Sequence, residues 1–121
     1  MSEKTTDRVD SIKITDNENN AVYELDFCRE SVRFAEQRQF KLEDVYDYPE
    51  TKFPELFFYA FRMHHKNLSR TQTDALYNRL GGFSRGMLER LGLLYNQAAL
   101  SNNVVENDED MGKNGNLTVE F

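Results

Sequence analysis

The chain has 121 residues, 21 acidic against 15 basic, for a formal charge of −6. That length fits one compact domain and leaves no room for a second core, and 39% hydrophobic residues with 12% aromatic ones can bury that core without disulfides or metal. One cysteine, Cys28, excludes an intramolecular disulfide, the polar start MSEKTTDRVD excludes a signal peptide, and no run approaches the roughly 20 apolar residues of a membrane span, so a soluble intracellular protein is expected. The acidity is uneven: residues 1–100 carry −2 and residues 101–121 carry −4.

Residues 1–8 are polar and read as a flexible N-terminus. From Val9 the pattern alternates. Ile12 and Ile14 flank Lys13, and Tyr23, Leu25 and Phe27 alternate with Val22, Glu24 and Asp26, the period of a strand with one buried face. Between the runs, Asp16 to Asn20 supplies Asn and Asp side chains that tolerate the left-handed conformations of a reversal. A β-hairpin is predicted. A short amphipathic helix over Arg29–Gln39 follows, with Val32 and Ala35 inward, and Phe40, Leu42 and Val45 continue the apolar contacts until Tyr48-Pro49 breaks the chain.

Phe53, Leu56, Phe57, Ala60, Phe61 and His64 then fall on one helical face, with Pro54 expected in the first turn. Phe58, Tyr59 and Met63 form a second stripe beside it. Such a helix is either central to the fold or offers a face to a partner, and these three residues are the candidate partner-binding residues. The alternative is that they fill the core.

Ser69 with Gln72 three residues later is a capping box. It opens a helix carrying Ala75, Leu76, Tyr77 and Leu80, which Gly81-Gly82 ends. A last helix runs from about Ser84 to Leu100, with Met87, Leu88, Leu91, Leu94, Tyr95 and Ala98 on one face; Gly86 and Gly92 within it point to a close helix–helix approach. Residues 101–121 are too polar to bury much surface and read as an acidic flexible tail, whose alternating end, Leu117 to Phe121, suits a strand if a sheet edge is offered. The fold class is α+β: an N-terminal hairpin on a bundle of about four helices, residues 9–100 forming one domain.

The chemistry-bearing residues give no catalytic pattern. His64 and His65 are adjacent and point about 100° apart on a helix, whereas helical zinc ligands sit four apart, and no second cysteine completes a set. His64 is expected at the core edge and His65 on the surface. Cys28 lacks a nucleophile-elbow context and reads as an inert buried thiol; Glu43/Asp44 and Asp47/Glu50 read as solvated surface. Gly81 to Gly86 follows a helix and lacks Gly-Lys-Ser/Thr, so it ends a helix and does not cradle phosphate. No cofactor and no metal are expected. The two Gly-Gly-linked helices loosely form a helix-turn-helix with Arg85 and Arg90 on the second, but no basic cluster accompanies them; the stripe Arg62, Lys66 and Arg70 reads as a solvated face.

The order of these pieces carries a resemblance. The segment Tyr23–Glu36, then Phe40–Val45, the aromatic helix ending His64-His65, the Ser69–Asp74 helix start and a final helix ending Leu91 to Ala98 together resemble a family of tail assembly chaperones encoded by siphophages of Gram-positive hosts, over about residues 9–100. The resemblance implies a non-enzymatic protein that binds the tape-measure protein and helps recruit tail-tube subunits. The acidic balance and the lack of a basic cluster point away from nucleic acid and membrane as partners, and self-association is a further expected contact. The resemblance also implies action in the host cytoplasm, from an infecting phage or a prophage, and absence from the mature virion. The alternatives are a small helix-turn-helix-like DNA-binding regulator and a structural head–tail connector.

Overall fold

The computed structural model describes residues 8–101; the readings made for residues 1–7 and 102–121 lie outside the described residues. Strands β1 (Ile12–Asp16) and β2 (Ala21–Leu25) pair antiparallel, with Ile12 opposite Leu25, Ile14 opposite Tyr23 and Asp16 opposite Ala21. The reversal between them uses its polar side chains as expected. Asn20 is left-handed at φ 61°, the Glu18 N–H donates to Asp16 Oδ1, and the Ala21 N–H donates to Asn19 Oδ1.

Four α-helices follow: α1 (Arg29–Gln37), α2 (Pro49–Phe61), α3 (Arg70–Leu80) and α4 (Arg85–Ser101), with a 3₁₀ turn over Leu42–Asp44 between the first two. The α+β architecture, a hairpin packed on four helices, is the one the periodicities predict. Helix α2 packs on α1, α3 and β2, while α4 packs on α1 and β1. The core is built from Leu25 at the end of β2 and Phe27 just after it, Val32 and Ala35 of α1, Phe40 and Val45, Leu56 to Phe61 of α2 except Phe58, and Leu91, Leu94, Tyr95 and Ala98 of α4. Its aromatic residues meet edge to face or tilted: Phe40 lies 5.1 Å from Tyr59 and 5.7 Å from Tyr95, and Tyr95 in turn 5.0 Å from Phe27. Phe40 therefore joins α2 to α4 across the middle of the molecule.

The helix ends follow local chemistry. Ser69 and Gln72 form the predicted reciprocal capping box, with the Gln72 N–H donating to Ser69 Oγ and the Ser69 N–H to Gln72 Oε1, and α3 stops at Gly81 with φ 77°. Ser84 Oγ accepts from the Met87 N–H and so caps α4.

Three boundaries differ from the sequence reading. Helix α2 starts at Pro49, a turn earlier than expected, because a proline at the first helical position lacks only an N–H that would have no partner. Pro54 consequently sits inside the helix instead of in its first turn. Helix α1 stops at Gln37 because Gln39 turns left-handed at φ 68°. Helix α2 ends at Phe61, so His64 and His65 belong to the turn that follows it. Gly86 and Gly92 do not mark a close approach either: a Cβ placed on either would meet nothing within 4 Å.

Candidate functional site

The second stripe of α2 is divided by packing. Tyr59 is 3% exposed, wedged between Phe34 and Phe40, and burial pushes its phenol above the usual tyrosine range. Burial likewise pushes Tyr95 up to about 12. Tyr59 is thus a core residue and not a surface one. Phe58 is half-buried against Phe34, and Met63 is exposed at the end of the stripe. Phe34 itself is covered by two guanidiniums, those of Arg38 at 3.5 Å and Arg62 at 3.8 Å from its ring centre. The three candidate residues therefore do not form one continuous surface.

Exposed apolar surface gathers instead between the 3₁₀ turn and α4. Leu42, Val45 and Tyr46 form one wall of an open groove of about 420 Å³, and Leu88, Gly92 and Leu93 the other, with Glu89 and Asn96 at its rim. Tyr46 is 69% exposed and Leu93 53%. Leu100, 56% exposed and seven residues after Leu93, extends the same line along α4. Gly92 contributes no side chain, so a partner backbone can approach the helix there. Of the α4 apolar residues, Leu93 stands off the core-facing stripe of Leu91, Leu94, Tyr95 and Ala98. That offset is the signal by which the sequence could have found this groove.

In two other clefts the arginine is bound to a carboxylate. One of about 760 Å³, between the start of α2 and α3, is lined by Arg70, whose Nε donates to Asp74 at 2.9 Å. A cleft of about 300 Å³ between the hairpin and α3 has Arg79 bound through two nitrogens to Asp16, at 2.7 and 2.8 Å. This fork holds the Asp16 carboxyl down to about 2. In the stripe read as basic, Arg62 bonds Glu30 and Arg70 bonds Asp74. The two histidines exchange their expected places. His65 is half-buried against Tyr23 and Phe61, its Nε2 accepting the Glu24 N–H at 2.9 Å, whereas His64 is exposed. Cys28 stands at the N-cap of α1, its N–H donating to Ser31 Oγ. Among the described residues no helix is long and apolar enough to cross a membrane.

A family model described as a domain of unknown function, DUF5055, matches residues 1–121. Comparison with curated proteins and with solved structures returns no match.

Proposed function

We propose that the chain, which belongs to the DUF5055 family, is a non-enzymatic chaperone of phage tail assembly that holds amphipathic helices of a tape-measure protein and helps bring tail-tube subunits to it. The observation that carries this reading is the open apolar groove between the 3₁₀ turn and α4, with Tyr46 and Leu93 exposed in it and Leu100 exposed two turns further along α4. A surface of this kind suits an amphipathic helix, whose apolar residues at i, i+3, i+4 and i+7 fill such a channel. Exposed leucines on a small domain cost solubility, so a partner that covers them supplies a physical reason for their presence. The pairing of Arg62, Arg70 and Arg79 with carboxylates leaves less positive charge for phosphates, which favours a protein partner over DNA.

The test is co-expression with the tape-measure protein of the same genome. Wild-type chain is expected to keep the tape-measure protein soluble, and Leu93→Glu to lose that activity while its far-UV circular dichroism stays unchanged. If Leu93→Glu folds and still solubilises its partner, the groove is not the binding surface. A stoichiometric amount of the chain in purified virions would instead support the head–tail connector. A mobility shift on DNA that fades steeply with salt would support the regulator.

A further inference from the structure

Glu24 lies on β2 and Asp26 one residue past its end, and the turn after α2 carries His64 back to them. One ligand atom from each of Glu24, Asp26 and His64 falls within 4.8 Å of the others, and His64 Nε2 is 3.7 Å from Glu24 Oε2. Two hydrogen bonds from backbone N–H groups hold this meeting in place: the Asp26 N–H donates to the Ala60 carbonyl at 3.0 Å, and the Glu24 N–H donates to the His65 side chain at Nε2, 2.9 Å away. Both carboxylates also have an orienting donor. The Ser11 hydroxyl donates to Glu24 Oε2 at 2.7 Å, and the Phe27 N–H donates to Asp26 Oδ1 at 2.8 Å.

From this juxtaposition we propose that Glu24, Asp26 and His64 form a binding site for a divalent transition-metal ion such as zinc. Two carboxylates and a neutral imidazole balance a doubly charged cation, and an imidazole ligand favours zinc-like ions over calcium or magnesium. Zinc bonds of about 2.0–2.1 Å put tetrahedral ligand atoms roughly 3.3 Å apart, so side-chain rotations that draw the three groups together complete the set. Ser11 and the Phe27 N–H then act as the outer partners that fix ligand orientation. The competing arrangement is a plain surface ion cluster, because the exposed Lys13 lies opposite Glu24 in the hairpin.

Isothermal titration of the full chain, freed of metal by chelator dialysis, with Zn²⁺ alone and separately with Ca²⁺ tests this site. One saturable Zn²⁺ site is expected, with Ca²⁺ binding far more weakly. His64→Ala and Asp26→Asn should each weaken Zn²⁺ binding by at least about tenfold, and Ser11→Ala by about tenfold, with circular dichroism unchanged. The Nε2 resonance of His64, and not that of His65, should move on Zn²⁺ addition in ¹⁵N spectra. The proposal is overturned if no Zn²⁺ binding saturates below about 1 mM, or if His64→Ala binds as wild type. Equal Zn²⁺ and Ca²⁺ affinity, or loss of Zn²⁺ binding in Cys28→Ser, overturns it as well.

Discussion

His64 and His65 are consecutive, yet one is exposed and the other half-buried against Tyr23 and Phe61. Burial holds the His65 imidazole below its ordinary value of 6.5, the neighbouring His64 acts in the same direction, and Glu24 opposes them. An imidazole that accepts the Glu24 N–H at Nε2 must be unprotonated at that nitrogen. The unfolded chain therefore takes up a proton near 6.5 while the folded one resists it. The His65 contribution to stability is complete above 6.5 and is lost as pH falls through the lower folded value. Urea midpoints are expected to decline between about pH 7 and pH 5. His65→Gln, which can accept the same hydrogen bond without titrating, should flatten that decline. Asp16 does not obscure the measurement, since its carboxyl, held down to about 2 by Arg79, titrates at more acid pH.

At the scale of the elements, the end of α1 stores backbone strain. Arg38 is the last half-helical residue, Gln39 is left-handed at φ 68°, the Phe40 N–H donates to the Ala35 carbonyl and the Gln39 N–H to the Glu36 carbonyl. This is the Schellman arrangement, which usually places glycine at the left-handed position. The burial of Phe40, 2% exposed, keeps the turn closed despite the side chain at Gln39. Gln39→Gly should raise stability by about 1 kcal/mol, since a left-handed non-glycine residue costs roughly 1–2 kcal/mol; a higher urea midpoint with an unchanged slope checks it. The end of α3, by contrast, was legible in advance because Gly81 occupies the corresponding position. The α1 boundary was not legible, because nothing in Gln39 itself signals a left-handed turn that is imposed by packing of the next residue. The start of α2 was misread for a local reason: Pro49, which reads as a breaker after Tyr48, is the first residue of the helix, so Pro54 lies inside it.

For the molecule as a whole, the decisive choice is which apolar stripe of each helix faces inward. Leu91 is fully buried in α4, in the stripe shared with Leu94, Tyr95 and Ala98, while Leu93 two residues on is 53% exposed. Leu91→Ala is expected to destabilise the fold by about 2–5 kcal/mol, the range for truncating a buried leucine. Chemical denaturation would measure it, and a loss below about 1 kcal/mol would contradict the placement of α4 against the core.

The sequence by itself determined the local structure: the hairpin and its Asn-rich turn, four helices, the Ser69 cap and the Gly81 stop. These follow from periodicity and capping chemistry, which act over a few neighbouring residues. Only the tertiary structure decided that Tyr59 is inside and Leu93 outside, that His65 and not His64 is packed, and that Glu24, Asp26 and His64 meet. Such outcomes depend on partners far away in the chain, as with the Glu24–His65 bond across 41 residues and the Asp16–Arg79 fork across 63. A pattern of apolar residues specifies that a face is buried, but the opposing element selects which of two adjacent apolar stripes it covers.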